Sequence, residues 1–560
     1  MTRRRLVAGA ALAVAVVVVA LGAWWVVGRL GATTPASALG PPRFVDVTTV
    51  AGLAHTYVGG DATFIGGGVA VLDCDADGRP DLYLAGGNGP ATLYRNVSAP
   101  GAGPRFTVMA DAATGRTGVM GAYPLDIDGD GQVDLAVLRV DGAALLRGVG
   151  GCRFEPADVR WSFAADPDST TAFSATWEGA ASMPSLAFGK YVRIDVAGNA
   201  TFECPDNALF RPRPDGSGSG SGYGTPIRLA PGFCALSMLF SDWDGSGRRD
   251  LRVSNDRQYY DDAVGQEQLW RIAPGEPPRL YTADDGWVLT QIWGMGIASH
   301  DLTGDGYPEV YLTSQGPNKL QTLLSGPNVP TYRDIALKRG VVATRPSSGG
   351  DPLPSTAWHP EFEDVNNDGF IDLFVSKGNV GEQPDYAMRD PSDLFIGAVD
   401  GTFSSAAADA GIVDFERGRG AALADLDLDG LLDLVQVDLD APARLWRNVG
   451  SGGGDAAVAM GHWAALSIRQ AGPNRDAIGA IVEVRVGQAV QRRELTVGGG
   501  HVGGQLGWTH VGLGPSSTAE VRVTWPDGEV GPWQPIEADG FAIIERGAEP
   551  RAWLPTSSAP

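Results

Sequence analysis

Six short stretches of the chain carry oxygen-bearing side chains at one fixed spacing. LDCDADGRPDLYL supplies Asp73, Asp75, Asp77 and Asp81, and LDIDGDGQVDLAV supplies Asp126, Asp128, Asp130 and Asp134. SDWDGSGRRDLRV gives Asp242, Asp244, Ser246 and Asp250, while HDLTGDGYPEVYL gives Asp301, Thr303, Asp305 and Glu309. EDVNNDGFIDLFV brings Asp364, Asn366, Asp368 and Asp372, and ADLDLDGLLDLVQ brings Asp425, Asp427, Asp429 and Asp433. The oxygens fall at loop positions 1, 3, 5 and 9, with glycine at position 6 for the turn. A hard cation such as Ca²⁺ takes six to eight oxygens at about 2.3–2.6 Å, and a loop that turns alternate side chains inward can wrap one. The position 7 backbone carbonyls of Arg79, Gln132, Arg248, Tyr307, Phe370 and Leu431 would complete the sets. An EF-hand would need flanking helices and a bidentate Glu at position 12, but here LYL, LAV, LRV, VYL, LFV or LVQ follows, which is strand sequence.

A single such loop could be an Asx-rich turn. Six loops holding 21 carboxylates repel one another unless a counter-charge sits among them. About six calcium ions are therefore expected, bound most tightly by the first, second and last loops and most weakly by the loop with Thr303 and Glu309.

The first ligands lie at 73, 126, 242, 301, 364 and 425, so one interval is about twice the others. Within it, ATWEGAASMPSLAFGKYV, residues 175–192, aligns by its apolar strand but puts Trp177, Gly179, Ala181 and Ser185 where the ligands belong. This reads as a seventh repeat without a metal site. Strands such as TLYRN (92–96), ALFRP (208–212), QLWRI (268–272), DLFIG (393–397) and RLWRN (444–448) recur after the loops. Repeats of about 60 residues built from short strands predict propeller blades, and the small residues of GGGVAVLD, GMGIASHD and GRGAALAD suit the crowded innermost strand. The fold expected is all-β: a seven-bladed β-propeller over 43–450, a Gly-rich linker over 451–460, a small β domain over 461–548 and a tail to 560. Alternation in ALSIRQ, IVEVRV and AEVRVTW marks the strands of that small domain.

The 560-residue chain carries a formal charge of −23, which leaves no basic surface for nucleic acid and makes divalent cations the natural counter-charge. Behind MTRRR, the uncharged run from Leu6 to Val27 is long enough as a helix to span the roughly 30 Å hydrocarbon core. Arg3, Arg4 and Arg5 would hold the N-terminus inside, so residues 1–30 predict a cytoplasmic stub and one transmembrane anchor. A linker over 31–42 follows, and the body beyond it is extracytoplasmic. Ala36-Ser37-Ala38 offers a signal-cleavage alternative that would leave the body secreted. Four cysteines are compatible with an oxidising compartment; a pair among Cys152, Cys204 and Cys234 is expected, and Cys74 is expected to be a free, packed thiol. Asn96-Val97-Ser98 and Asn199-Ala200-Thr201 match the N-glycosylation pattern.

These loops and strands resemble the FG-GAP/VCBS repeats of integrin-α-type propellers, whose blades carry the same calcium loop. NRDAIGA, the GGG run, HVGLG and WPDG in the C-terminal part are similar to the ASPIC/UnbV domain. The combination resembles the cartilage acidic protein family, which implies an extracytoplasmic calcium-binding propeller that adheres to or binds a protein or glycan. No GxSxG, HExxH or P-loop is present, and His55, His300, His359, His462, His501 and His510 are scattered. The alternative function is an extracellular enzyme acting on carbohydrate or a small molecule at the propeller's central opening.

Overall fold

Each acidic loop sits between the first two strands of a four-stranded antiparallel sheet. In the computed structural model, which describes residues 39–555 apart from 61, 195–199, 202, 214–221, 257–265, 291 and 454–455, the first sheet takes Val69–Leu72, Asp81–Leu84, Thr92–Asn96 and Phe106–Met109 in that order. Five further sheets repeat the pattern, with first strands Val119–Leu125, Thr170–Thr176, Ala235–Ser241, Gly294–His300 and Ala357–Glu363. A seventh takes Arg417–Ala424, Asp433–Leu439 and Arg444–Asn448, and its outer strand is Phe44–Asp46 from the start of the described chain. First strands of successive sheets pack against one another in chain order, and Arg417–Ala424 packs back on Val69–Leu72. The architecture is thus an all-β, propeller-like ring. Closure by the N-terminal strand ties both ends of the ring together, which removes an exposed sheet edge.

The repeat without ligands also builds a complete sheet, from Thr170–Thr176, Ser185–Lys190, Asn207–Phe210 and Ile227–Leu229. Two disulfides cross between sheets: Cys204–Cys234 joins the third to the fourth, as the pair expected among the three later cysteines, and Cys74–Cys152 joins the first to the second. The expectation of a free Cys74 thiol is therefore corrected. Cys74 follows the first ligand of its loop, and the turn brings its buried sulfur against Cys152 of the neighbouring sheet. Asn96 is fully buried, with its amide donating to the carbonyls of Pro80 and Leu426, so its sequon is not open to glycosylation in the folded protein. Asn199 and the Leu6–Val27 run lie outside the described residues. Among the described residues no helix is long and apolar enough to cross a membrane.

The C-terminal module is a sandwich of two four-stranded sheets. One is built on His462–Arg469, which pairs in parallel with Gly540–Glu545 and antiparallel with Thr509–Gly514, and Arg551–Trp553 forms its edge. The other is built on Ile481–Val486, flanked by Ala489–Glu494 and Thr518–Thr524. Leu466, Ile468, Val482, Val484, Val521 and Val523 form the shared core, the inward members of the alternation read from the sequence.

Candidate metal centres

In the first, second and seventh sheets the loop carboxylates converge. Ligand oxygens of Asp73, Asp75 and Asp81, of Asp126, Asp128 and Asp134, and of Asp425, Asp427 and Asp429 each lie within 4.8 Å of one another. The position 3 aspartate has two different environments at its two oxygens. Oδ2 of Asp75 accepts from Arg95 at 2.5 Å, that of Asp128 from Arg147 at 2.9 Å, and that of Asp427 from Arg447 at 2.7 Å. Oδ1 of Asp75, Asp128 and Asp427 is buried and accepts no hydrogen bond. A buried, unsatisfied carboxylate oxygen costs of the order of 1–3 kcal/mol or more, so three at the same loop position call for a common partner. An all-oxygen donor set facing such an atom suits a hard cation.

The arginines come from one place in the repeat. Arg95, Arg147 and Arg447 stand in the third strands, within TLYRN, ALLRG and RLWRN, and orient the outer oxygen of the ligand so that the inner one turns toward the loop centre. The recurrence of the strand was legible in the sequence; its arginine's reach into the loop was not, because that depends on the register between the second and third strands. The repeat without ligands keeps the arginine: Arg211 forms a two-point pair with Glu178 at 2.7 and 2.8 Å, and Ser185 donates to the same carboxylate. There the guanidinium supplies the positive charge itself.

The remaining loops differ. Asp250 is saturated by protein donors, accepting from the Ile272 amide, Arg248, Trp243 Nε1 and Tyr281 Oη. Glu309 accepts from Leu302 N at 2.9 Å and Thr322 Oγ1 at 2.7 Å, and Thr303 lies 3.4 Å from it. In the sixth sheet Asp364, Asn366, Asp368 and Asp372 are all buried, and Asp368 accepts from the Leu39 amide and Asn366.

Burial pushes Asp73 and Asp126 up to about 6, Asp429 up to about 7 and Asp134 up to about 8, and neighbouring carboxylates add to each rise. Asp364, Asp372, Asp425 and Asp433 lie well above the usual carboxylate range for the same reasons. A bound cation would reverse both causes by supplying the opposite charge at contact distance.

The C-terminal module covers this face of the ring and touches each of the six acidic loops. Trp508 Nε1 donates to the Gly78 carbonyl at 2.9 Å, and Pro473 packs so closely on Gly129 that a methyl there would lie 3.0 Å from it. Arg249 donates to the Pro526 carbonyl at 2.8 Å, and Arg492 to that of Gly306. His510 Nε2 lies 2.6 Å from Asn367 Oδ1, the Gly514 amide donates to the Asn367 carbonyl, and Trp463 packs on Gly430. A cavity of about 480 Å³ remains between module and ring, lined among others by Asp73, Asp301, Glu361, Asp425, Arg493 and His510.

From the module the segment Val497–Gln505, VGGGHVGGQ, runs into the axis of the ring. Ala175 N donates to Val497 O, Gly499 N to Met238 O, Gly500 N to Ile297 O and Val71 N to Gly504 O, at 2.7–3.1 Å. The Tyr123 hydroxyl donates to Gly499 O, and the His501 amide donates to His359 Nδ1 at 3.1 Å. Six of the seven sheets thus bond the insert. The small residues of the inner strands answer to this approach: a Cβ on Gly121 or Gly68 would collide with the Val502 carbonyl, and one on Gly503 with the backbone of Val69. His501 packs against Trp358 with ring centres 4.9 Å apart and planes tilted by 52°, and burial pulls it and His510 down to about 3, so both are neutral packing groups. The GGG run was legible as a motif, but its destination on the axis of a ring hundreds of residues away was not.

Two family models match the chain: FG-GAP-like repeat over residues 73–137, and ASPIC and UnbV over residues 470–551. The chain pairs FG-GAP-like repeats with an ASPIC/UnbV module. It is 27% identical to mouse cartilage acidic protein 1 over 239 residues, covering 39% of this chain and 33% of that protein. Its identity to the human protein of that name is 26% over 239 residues, covering 39% and 32%. The matched region thus spans about a third of the length of these curated relatives. These findings agree with the family resemblance drawn from the sequence. Among solved structures, a chain of the crystal structure of BBS1N in complex with ARL6DN is similar at a TM-score of 0.40 and 11% identity, over 74% of this chain and 98% of that one.

Proposed function

We propose that the chain is an extracytoplasmic, calcium-stabilised binding scaffold, a seven-bladed propeller held to a membrane by its N-terminal helix. The observation that carries the metal reading is the buried, unbonded Oδ1 of Asp75, Asp128 and Asp427, each among converging carboxylates and each held by an arginine from the third strand. Calcium at these three loops, with Asp364, Asp368 and Asp372 as a fourth candidate, fits the all-oxygen donors. The loops with Asp250 and Glu309 rank below them, because their position 3 side chains, Asp244 and Thr303, leave no buried oxygen unbonded. Seven four-stranded sheets with first strands packed in a ring support the blade number. Two disulfides support an oxidising compartment, and the Leu6–Val27 run supports the anchor. A role in binding a protein or glycan fits FG-GAP-like repeats and a ring with one face covered. The enzyme alternative has no open axis on the module side, since Val497–Gln505 fills it.

Calorimetric titration of calcium into the chelator-stripped 38–560 unit tests the metal reading. At least three sites are expected, with one lost in each of Asp75→Asn, Asp128→Asn and Asp427→Asn. Absence of any calcium heat, with equilibrium dialysis also finding no bound metal, would sink it.

A further inference from the structure

Lys377 is a nucleophile sealed from solvent. It ends the second strand of the sixth sheet, Asp372–Lys377, and Asp393 opens the third, Asp393–Gly397. Val375 pairs with Asp393 across these strands, so the connection over 378–392 brings Asp390 and Asp393 back to the amine. Lys377 Nζ lies 3.0 Å from Asp390 Oδ1 and 3.0 Å from Asp393 Oδ2, and all three side chains are buried. A buried ion pair gains little over an apolar filling unless hydrogen bonds satisfy its remaining atoms. Here they do not: Asp393 Oδ1 is buried and accepts no hydrogen bond. One amine is thus enclosed with two carboxyl groups, and one carboxyl oxygen is left over.

The two carboxyl groups are held differently. Asp390 accepts from Ser355 Oγ at 2.8 Å on Oδ1 and from the Thr356 amide at 2.7 Å on Oδ2. Fixed donors of this kind draw electron density from Cγ and are placed to hold the negative charge that develops on oxygen when a nucleophile adds there. Asp393, with an oxygen unbonded, can take protons and return them. Burial works to pull the Lys377 amine down, but the two carboxylates together push it up, so the amine keeps its proton until a carboxylate takes it. Burial pushes Asp390 up, toward the neutral acid that an amine can attack. Holding amine and acid in one dry site makes their condensation intramolecular, which removes most of its entropic barrier.

We propose that Lys377 and Asp390 join in an intramolecular amide bond, with Asp393 as the proton carrier. The bond formed is Nζ–Cγ and the bond broken is Cγ–Oδ1 of Asp390. Of the three ammonium protons, two pass by way of Asp393 to the departing oxygen, which leaves as water, and the third stays on the amide nitrogen and faces Asp393. Asp393 ends as it began, and no oxidant or metal is needed. None of the three residues is a loop ligand, so the amide and the calcium content are independent of each other. The test is peptide mapping by mass spectrometry of the full-length chain, unfolded, reduced and digested with trypsin, which cuts after a free lysine but not after an acylated one. The peptides 340–389 and 390–417 should appear joined, lighter than their sum by one water, with fragmentation placing the link between Lys377 and Asp390. Asp393→Asn, shown to be folded by circular dichroism, should leave them unlinked, and Asp390→Asn should reach the same product by expelling ammonia instead of water. Separate peptides 340–377, 378–389 and 390–417 from the parent chain would overturn the proposal, as would a link to Asp393 or full linkage in Asp393→Asn.

Discussion

Withdrawal of calcium should lower the melting temperature of the 38–560 unit by an amount that can be estimated from the loops. Three loops present a buried position 3 carboxylate oxygen with no hydrogen-bond donor. A cation that binds only the folded state stabilises it by RT ln(1 + [L]/Kd), about 2.7 kcal/mol per site at a hundredfold excess over Kd. Three independent sites would give about 8 kcal/mol. Unfolding entropy near 2.1 cal/mol/K per residue makes about 1.1 kcal/mol/K for a body of about 520 residues, so the shift is on the order of 7 °C. The assay is tryptophan fluorescence during heating, in calcium, in EDTA, and in EDTA with excess magnesium. Magnesium should restore little, because it demands near-octahedral geometry and gives up water reluctantly. Asp427→Asn should remove about a third of the EDTA-sensitive shift while leaving the other two loops intact. Equal melting in all three buffers, with EDTA shown to leave no metal on the protein, would mean that the carboxylates are satisfied by protonation and arginine alone.

Three further outcomes are expected. Arg447→Met should weaken calcium binding at the seventh sheet by about tenfold to a hundredfold, because it frees the Asp427 and Asp429 ligands to rotate; a rise in affinity by calorimetry would instead show the guanidinium to be a competitor. Glu267 is fully buried and burial pushes it up to about 7 from 4.5, so between those values the unfolded chain binds fewer protons and stability falls as pH rises. Glu267→Gln should therefore be more stable than the parent above pH 7, by on the order of 3 kcal/mol, and the advantage should vanish near pH 4 in denaturant titrations. Gly503→Val should lower the melting temperature and enlarge the radius of gyration in X-ray scattering, since its side chain would meet the Val69 backbone, whereas Gly507→Val, with open space around it, should change neither.

The repeat was legible because calcium-type loops constrain sequence locally: Asp425, Asp427, Asp429 and Asp433 lie within one turn and strand start, and the strands beside them alternate visibly. The repeat without ligands was read from the double interval together with its aligned apolar strand, where Trp177 and Ser185 had replaced ligands. Contacts distant in sequence were not legible. Cys74 looked like a packed thiol because nothing near it signals Cys152, 78 residues on. Gly68 and Gly121 looked like ordinary inner-strand residues because the carbonyl that excludes a side chain there belongs to Val502. The reach of the arginines in TLYRN and RLWRN toward Asp75 and Asp427 was not legible either, since it depends on strand register.

The placement of the module on the acidic face follows from those same loops. A surface bearing 21 carboxylates would repel an acidic chain's own C-terminal part unless the module meets the loops through something other than their charge. It does so through their backbone: Trp508 and Arg492 take the carbonyls of Gly78 and Gly306, both at position 6 of their loops, and Trp463 packs on Gly430 at the same position. Position 6 is where the turn is sharpest and where glycine's positive φ, 83° at Gly78 and 84° at Gly430, turns the peptide outward from the ring of ligand oxygens. The inner side of each loop is thus left to carboxylates and the outer side to neutral carbonyls and glycine surface. A cation that fixes the inner side also fixes the outer one, so the geometry the module grips and the geometry a metal would hold are two faces of one turn.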